Sequence, residues 1–448
     1  MQTRRDHLQA YQFAMGRLST ALLTGDPGRG DRPGRRAALG TVLGTGAVVL
    51  LCAGFGVYGL ISPPVTDSWR TPGTIVMEKQ TGTRYLFLGG TLRPVRNYAS
   101  ALLILGKGAT LREVSAKDLG RTPHGAPVGI TGAPDALPAA LGGAVWTRCL
   151  APTGVGATGV GSGAERVDFA PTAGSTPLPA DQQVLLTGPE GSRSLLWRGV
   201  LHPVPEAAAL IALGLDGDRP HAAPADWLAD LPVGTPLTAA PITGSGHPAA
   251  AVAGRATVVG QTFRTSAAGT DHEYVMTSTG VAPIGPTEAA LLAARPGALS
   301  TRQVTAADMA AAPVSAAVPG ADLPEVLNAP ESATGSTALC LRQQADGARI
   351  STVAVEAPAG TDSRAVQLPP DTGVVAVNQE QLARQQSSPQ TYLISDQGVA
   401  YPLGDTQARA TLGLGGAAPV PLPAALLAVL PQGPVLSTAA ARLTVQGG

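Results

Sequence analysis

The sequence predicts one N-terminal transmembrane helix followed by an α+β extracytoplasmic region, in which four small strand-helix-helix repeat modules surround a central β-rich core domain. Three observations predict this architecture. The 25 residues 37–61 contain no charged side chain. A pattern of paired prolines recurs four times after them, and six strand-like runs lie in or beside the spacers. Together these features indicate a membrane-anchored protein with most of its chain on one side of the membrane.

The composition limits the classes of function. Of 448 residues, 56 are Gly and 40 are Pro, and 14% are charged, compared with about 25% in a typical soluble protein. The apolar content of 44% supports packed cores, and the Gly and Pro content favours short strands and turns between modest helices. The formal net charge is zero, and the region after the apolar run shows no basic patch. Nucleic-acid binding is therefore not expected.

Residues 1–36 are predicted to be cytoplasmic, with an amphipathic helix over 3–26 and a basic hinge over 27–36 that meets anionic lipid. Apolar side chains recur in the helix at three- and four-residue steps, and Gly25, Asp26 and Pro27 end the pattern. This face either lies on the inner membrane surface or docks on a cytoplasmic partner, and its aromatic and Met content favours docking. The docking residues are Leu8, Tyr11, Met15, Leu18 and Leu22.

Residues 37–61 are predicted to span the membrane, because a helix of this length measures about 37 Å against a hydrocarbon core of roughly 30 Å. A cleaved signal peptide is disfavoured by the length of the run and its late start, and a soluble core helix by its glycines. Arginines are denser before the run than after it, which places the N-terminus in the cytoplasm. Gly40 and Gly44 are predicted to let a partner helix approach closely.

Paired prolines define the four predicted modules. In each copy a short strand precedes a Pro that is predicted to open an Ala- and Leu-rich helix, and a second helix ends at another Pro. The intervals within the pairs are 29, 29, 30 and 29 residues, whereas the spacers between copies differ in length. A fixed internal interval predicts a repeated unit that is too small to stand alone. The pairs are Pro94 and Pro123, Pro203 and Pro232, Pro283 and Pro313, and Pro402 and Pro431.

The spacers are predicted to supply the core strands, at 145–150, 183–187, 255–263, 337–344, 350–357 and 373–378. The predicted domain boundaries follow from the modules and spacers. They are 1–36 for the cytoplasmic segment, 37–61 for the span, 62–130, 191–240, 271–318 and 389–437 for the modules, 131–190, 241–270 and 319–388 for the core, and 438–448 for a C-terminal tail.

Three cysteines divide between the span and the exterior. Cys52 lies in the span, which leaves Cys149 and Cys340 outside. An even pair in an oxidising compartment suggests one disulfide, and two separate buried thiols are the alternative. By the loop-entropy model, a bond across about 190 residues would contribute on the order of 5 kcal/mol.

No catalytic, cofactor-binding or metal-ligating residues are predicted. Gly154, Gly156 and Gly159 spell G-x-G-x-x-G but do not follow a strand, so they indicate a Gly-rich loop. The sequence contains no G-x-x-x-x-G-K-[ST] phosphate loop and no G-x-S-x-G elbow, and its His and Cys residues lack metal-ligand spacing. Residues 271–273, Asp-His-Glu, are interpreted as a solvated turn.

Several segments resemble the EccB family, which supplies a membrane subunit of the actinobacterial type VII (ESX) secretion machine. The resemblance covers about residues 1–149 with high specificity, and the modules and the second exterior Cys extend it. The segments are RRDHLQAYQFAMGRLSTALLTGDP at 4–27, FGVYGLISP at 55–63, PGTIVMEKQTGTRYLFLGGTLRPVRNYASALLILG at 72–106, PVGITGAPDALP at 127–138 and WTRC at 146–149.

This resemblance implies a single-span protein whose core and four repeat domains form an elongated, pseudo-twofold arrangement. It implies self-association and assembly with the EccC motor ATPase, EccD, EccE and the mycosin protease, to export WXG100-type proteins. The pair Cys149 and Cys340 fits the core disulfide expected for that family. Family members are sometimes described as ATPases, but motor activity is expected to belong to EccC.

Three functional hypotheses remain open on the sequence. The favoured one is a structural scaffold in the secretion complex, with no cofactor of its own. The second is a membrane-tethered nucleoside triphosphatase or other hydrolase. The third is a free-standing cell-wall-binding protein, which the N-terminal helix disfavours because a simple tether needs no such element.

Overall fold

The computed structural model describes residues 4–25, 35–61, 67–150, 165–171, 174–267, 269–327, 329, 337–358 and 365–444. The chain divides into two compact units, one formed by residues 1–71 with 115–120 and the other by 72–114 with 121–448. The sequence motif at residues 154–159 lies outside the described residues.

The first unit is helical. It contains α1 (Arg4–Thr24), α2 (Arg35–Ile61), a 3₁₀ turn at Asp67–Arg70 and the short helix α4 (Ala116–Leu119). Helix α1 ends at Gly25, which adopts a positive φ of 67° and donates its N–H to the carbonyl of Ala21. In α2 the hydroxyl of Thr41 donates to the carbonyl of Ala37, which satisfies its polarity within an apolar helix. Both helices occur where the sequence predicts them.

The second unit is rich in strands and contains four small sheets with one strand order. In each, three consecutive strands form an antiparallel meander, a helix follows the third strand, and a fourth strand pairs in parallel with the first. Sheet one consists of β1 (Thr74–Glu78), β2 (Arg84–Leu88), β3 (Thr91–Pro94) and β4 (Thr110–Val114), with helix α3 (Tyr98–Leu105) before β4.

The other small sheets lie further along the chain, with two helices or more each. Sheet two contains β9 (Gln183–Thr187), β10 (Arg193–Trp197), β11 (Val200–Pro203), α5 (Ala207–Ala212), β12 (His221–Ala222) and α6 (Ala225–Ala229). Sheet three contains β15 (Thr262–Ala267), β16 (Thr270–Met276), β17 (Val281–Ile284), α7 (Pro286–Ala293), β18 (Arg302–Gln303) and α8 (Ala306–Ala310). Sheet four contains β22 (Thr372–Asn378), α9 (Gln379–Ala383), β23 (Thr391–Ile394), β24 (Ala400–Leu403), α10 (Thr406–Thr411), β25 (Val420–Leu422), α11 (Ala424–Val429) and α12 (Thr438–Ala441).

A central sheet and a hairpin complete the unit. The strands of the central sheet are β6 (Val145–Leu150), β7 (Glu165–Asp168), β8 (Thr176–Pro177), β19 (Thr337–Asp346), β20 (Arg349–Pro358) and β21 (Val366–Gln367). Their order in the sheet is β21-β7-β6-β19-β20-β8. A further short strand, β5 (Ala140–Leu141), pairs with β22 of sheet four. The hairpin joins β13 (Pro248–Val252) to β14 (Arg255–Val258).

Three runs that the sequence assigned to the core lie elsewhere, so that assignment was wrong. Strands β9 and β22 are the first strands of sheets two and four, and 255–263 is divided between the hairpin and the start of β15. The reason is that β9 and β22 are almost wholly buried. A continuous apolar run is typical of any strand buried on both faces, and it does not reveal which sheet contains the strand.

The first proline of each pair lies in the third strand of a small sheet and does not open the helix, which corrects the prediction. Pro94 ends β3, and α3 begins at Tyr98. The residue two before this proline donates its N–H outward, to the carbonyl of the second proline in the pair. The four distances are 2.8 Å for Leu92 to Pro123, 2.8 Å for Leu201 to Pro232, 2.7 Å for Val281 to Pro313 and 2.8 Å for Ala400 to Pro431.

This hydrogen bond explains the nearly constant interval between paired prolines. Backbone N–H groups alternate between the two edges of a strand, so the nitrogen of the first proline faces the same edge as the N–H two residues earlier. This edge faces away from the second strand of the meander, so the missing N–H of proline costs no hydrogen bond within the meander. Its carbonyl still accepts there, from Val128 to Pro94 at 2.9 Å and from Leu436 to Pro402 at 2.8 Å. The second proline and the residues after it therefore form a short parallel extension of each small sheet.

In sheets one, two and four, a glycine two residues after the second proline packs against the third strand. A Cβ at Gly433 would lie 2.3 Å from Cδ1 of Tyr401, and one at Gly234 would lie 2.6 Å from Cε1 of His202. In sheet three the corresponding residues are Ser315 and Ala282. Where the residue two positions after the second proline is Gly, the third strand has a bulky side chain opposite it, and where that residue is Ser, the third strand has Ala.

Apolar clusters join the small sheets in two pairs. We call sheets one and four with their helices half A, and sheets two and three with their helices half B. One cluster in half A combines Leu103 of α3 with Leu412 and Leu436 from sheet four. One cluster in half B combines Leu210 of α5 with Leu291 of α7. Each half also packs on the central sheet, through sheet four in half A and sheet two in half B.

Candidate interaction surfaces

Helix α1 carries an exposed apolar face. The five residues predicted to dock are 51% to 79% exposed, and at 100° per residue they fall within one 80° sector of the helix. Arg17 lies on the opposite side, with its guanidinium 6.0 Å from the ring of Phe13. The face therefore has no partner among the described residues of its own chain. The residues of the face are Leu8, Tyr11, Met15, Leu18 and Leu22.

Helix α2 is long and apolar enough to cross a membrane. The candidate span within it is Ala37–Gly59, which has a mean hydropathy of 2.0. None of that segment is buried within the chain. A Cβ at Gly40 or Gly44 would meet no atom within 4 Å. These two glycines lie one turn apart, so the surface they share is open to another helix.

The predicted disulfide is present in the central sheet. Cys149 of β6 lies directly opposite Cys340 of β19, and the Cα atoms are 4.0 Å apart. Both residues are buried, and they pack with Ala338 and Val355. Cys52 is exposed on α2, as expected for a residue in the span.

A buried ionic cluster, which the sequence prediction missed, attaches sheet two to the central sheet. Arg148 of β6 has no exposed side-chain surface, and its guanidinium donates hydrogen bonds to Glu165 of β7 and to Asp226 and Asp230 on and beside α6. Trp227 of α6 also donates its indole N–H to the carbonyl of Arg148 at 3.1 Å. The cluster therefore joins three separate parts of the chain.

Charge and burial oppose each other in this cluster. One guanidinium faces three carboxylates, and buried charges are tolerated only when they are paired and hydrogen-bonded. Burial alone would lower the pKa of Arg148, but Glu165 and the two aspartates raise it. Burial also raises the pKa of Asp230, although Arg148 and Gln343 favour its ionised form. This attachment of sheet two therefore depends on ionisation.

A clue to Arg148 is visible in the sequence. Trp146, Arg148 and Leu150 alternate along β6 and so share one face of the strand. An arginine between two large apolar residues on a buried face requires carboxylate partners. The partners could not be identified, because Asp226 and Asp230 are 78 and 82 residues away.

The run 271–273 is not a solvated turn, which corrects its interpretation. All three residues lie in strand β16, paired with β15. Glu273 is buried at 8% exposure and accepts a hydrogen bond from Nε of Arg264 at 2.5 Å. Within the described parts of the chain, no group of three or more His, Cys, Asp or Glu side chains could hold a metal ion.

The fold and these surfaces define a class of protein, with one candidate membrane span near the N-terminus and a β-rich α+β body. The family model for "Type VII secretion system ESX-1, transport TM domain B" matches residues 1–447. The chain belongs to this family, the EccB proteins of type VII secretion systems.

Relatives in mycobacteria align over nearly the whole chain. The "ESX-1 secretion system ATPase EccB1" of Mycolicibacterium smegmatis strain MKD8 is 28% identical over 98% of this chain and 94% of its own length. The "ESX-3 secretion system ATPase EccB3" of Mycolicibacterium smegmatis strain ATCC 700084 is 27% identical over 97% of this chain and 89% of its own. Both alignments therefore cover most of the relative as well as most of this chain.

Two solved structures have a similar fold. A chain in the "intact ESX-5 inner membrane complex" aligns with a TM-score of 0.60 at 23% identity, covering 100% of this chain and 96% of that one. The "EccB3 dimer from the ESX-3 core complex" aligns with a TM-score of 0.57 at 27% identity, covering 82% of this chain and 99% of that one. The β-rich α+β body is thus the fold of EccB proteins.

Proposed function

We propose that this protein is a structural membrane subunit of a type VII secretion machine and scaffolds protein export across the cell membrane. The observation that carries the proposal is the family match over residues 1–447. The titles of the similar structures describe an inner membrane complex and an EccB3 dimer. By analogy, this chain assembles with other ESX membrane subunits and with copies of itself. The family resemblance adds EccC, EccD, EccE and the mycosin protease as expected partners.

Within this proposal, α1 is the cytoplasmic docking element and α2 is the span. The support for α1 is its exposed apolar face, since contiguous apolar surface marks contact sites on proteins or membranes. The arginines before α2 support a cytoplasmic N-terminus and an extracytoplasmic body. Gly40 and Gly44 are proposed to seat a neighbouring transmembrane helix.

The four small sheets are proposed to be repeat modules. Their shared strand order and the shared proline hydrogen bond support a common unit. The pairing of sheet one with four and two with three supports the pseudo-twofold arrangement that the resemblance implies. The module boundaries proposed from the sequence move toward the N-terminus for sheets two, three and four, so that each includes its first strand.

Substitutions on α1 test the docking role in cells that require this protein for secretion. Leu18→Ser with Leu22→Ser removes part of the apolar face, and we expect loss of the assembled complex on native gels together with loss of secretion. Gln9→Ser with Arg17→Ser changes the opposite side of α1 and is the matched control. Normal assembly of the Leu18 and Leu22 variant would contradict docking through this face.

The glycine face of α2 is tested separately with Gly40→Leu and Gly44→Leu, which block close helix approach. We expect the membrane-inserted protein to accumulate without joining the complex. Gly46→Leu, on another side of the helix, is the control. If assembly is unchanged by the substitutions at 40 and 44, α2 acts only as an anchor.

Nucleotide hydrolysis is the competing function, because the printed names of the relatives contain the word ATPase. The sequence has no phosphate-loop motif. Purified full-length protein, free of EccC, should show no ATP turnover above a buffer control. ATP turnover that persists after removal of every other subunit would favour nucleotide hydrolysis by this protein.

A further inference from the structure

A buried carboxylate lies where the two sheets of half B meet. Glu288, in the first turn of α7, is 1% exposed. Its Oε1 accepts the backbone N–H of Ala240 at 2.9 Å, from the segment that follows sheet two. Its Oε2 is buried and makes no hydrogen bond to the described residues. One oxygen is therefore satisfied across the contact and the other is not.

Residues 320–327, which we call the strap, lie against the same turn of α7. Gly320, at a φ of +71°, packs so closely that a Cβ there would lie 2.8 Å from Cδ of Glu288. Thr287 accepts the N–H groups of Val326 at 3.0 Å and Leu327 at 3.3 Å through its hydroxyl. Its own N–H donates to Oε2 of Glu325 at 3.2 Å. The strap is thus held to α7 by three hydrogen bonds at Thr287 and packs against the next residue, Glu288.

The strap also bridges the two sheets of half B. Val326 is completely buried, and Leu323 and Leu327 are partly buried, in the cluster that contains Leu210 and Leu237 of sheet two. Closure of the strap therefore buries apolar surface from sheet two while it covers Glu288 of sheet three. Movement of the strap would change how firmly the two sheets are joined.

The charged and titratable groups nearest Glu288 lie beyond the end of α7, on the strap and on two strands. Arg295, two residues after the end of α7, favours the ionised form of Glu288, and the strap carries Asp322 and Glu325. Helix α5 and residues 238–242 have no ionisable side chain. Strands β15 and β16, which pack on α7, carry Arg264, Asp271, His272, Glu273 and Tyr274, and Arg264 is hydrogen-bonded to Glu273.

We propose that the strap is a proton-dependent latch between sheets two and three, closed when Glu288 is protonated and released when it is ionised. The physical reason is that an ionised carboxylate with an unpartnered oxygen is costly when buried, whereas release of the strap exposes it to water. This device does not depend on the proposed secretion function.

The direction of the pH dependence follows from burial. Burial raises the pKa of Glu288 from 4.5 to about 7, although the Ala240 N–H and Arg295 oppose the shift. A raised pKa in the closed form means that closure is fully favoured below pH 4.5 and is lost as the pH rises through about 7. Linkage between these two pKa values predicts that the closing equilibrium falls about tenfold between pH 6 and pH 8.

Hydrogen exchange by mass spectrometry on the full-length protein in detergent tests the latch. After correction for intrinsic exchange rates, protection of peptides covering 320–327 should fall about tenfold from pH 6 to pH 8. Peptides covering α12, which follows the second proline of sheet four as the strap follows that of sheet three, are the internal control and should show no such change.

Glu288→Gln should abolish the pH dependence of the strap, because the amide keeps the size of the side chain without titrating in this range. Glu325→Gln is the matched control, because it changes a carboxylate of the strap itself, and it should retain the pH dependence of strap protection. Flat protection in the wild type, or an unchanged pH dependence in Glu288→Gln, would overturn the proposal.

Gly320→Ala provides a second route if Glu288→Gln does not fold. The added Cβ forces the strap away from the carboxyl group, so we expect low strap protection already at pH 6 with normal protection of α12. Full strap protection in Gly320→Ala at pH 6 would show that the strap does not close on Glu288, and would equally overturn the proposal.

Discussion

Halves A and B have the same sheet order but are held together differently. In half A, sheets one and four meet through an apolar cluster. In half B, the contact between sheets two and three includes the buried Glu288 and the strap. The attachments to the central sheet differ as well. Sheet four packs Leu426 and Leu430 in a cluster with Trp146, whereas sheet two adds the Arg148 cluster to its apolar contacts.

This difference shows that the contact between two paired sheets can be stabilised with or without a buried carboxylate. Apolar burial contributes free energy that does not depend on pH in this range. Buried ionisable groups link folding to proton binding. We therefore expect half B to respond to pH and half A to be insensitive to it.

Loss of the disulfide should have the largest effect and should act on both halves. Cys149→Ser with Cys340→Ser removes a link across 191 residues, which lowers the free energy of unfolding by about 5 kcal/mol in the loop-entropy model. Denaturant unfolding of the detergent-solubilised protein measures this loss, and Cys52→Ser is the control. A loss confined to half B would contradict a central sheet that supports both halves.

Replacement of Arg148 should destabilise half B more than half A. Arg148→Met leaves three carboxylates without their cation, and breaking a buried ion pair costs about 3–5 kcal/mol. Hydrogen exchange should show sheet two losing protection before sheet four. Arg84→Met is the control, because Arg84 and its partner Asp135 are 34% and 72% exposed, so their ion pair is screened by solvent. Equal losses in sheets two and four would contradict the attachment of sheet two to the central sheet through Arg148.

Placing the residue pair of sheet three at the matching positions of sheet four should test whether the two sheets are equivalent. Gly433→Ser places a side chain against Tyr401, and overpacking of this kind costs about 1–3 kcal/mol. With Tyr401→Ala added, sheet four contains the Ala and Ser pair of sheet three, so the serine should be tolerated. A double-mutant cycle on unfolding free energies should give a coupling of about 1 kcal/mol or more. Additive effects would mean that the two positions do not correspond.

The sequence allowed more of the chain's organisation to be predicted than of its internal contacts. Helices α1 and α2 were located because periodicity and charge are local signals. The proline pairs located the small sheets, yet the first proline was read as a helix start, because a Pro before an Ala-rich segment is typical of both arrangements. The partner strand that distinguishes them lies about thirty residues away, at the second proline.

The site in half B was beyond sequence prediction. Glu288 occupies the first turn of a helix, where a carboxylate is expected to be exposed and to favour the helix dipole. It is buried because Ala240, 48 residues earlier, and Gly320 cover it from two sides. No local sequence pattern indicates that these two distant segments cover Glu288. Arg148 was also missed, although its place on an apolar strand face is a local signal that could have identified it.

The disulfide also determines the covalent topology of the chain. Sheets two and three lie between Cys149 and Cys340, whereas sheets one and four lie outside them. Half B is therefore a covalently closed ring inserted into half A. A single protease cut within residues 150–339 would leave one molecule of unchanged mass apart from the water added, and only a reducing agent would release two fragments. Such a cut in half B would not separate the N-terminal helices from the C-terminal strands of sheet four.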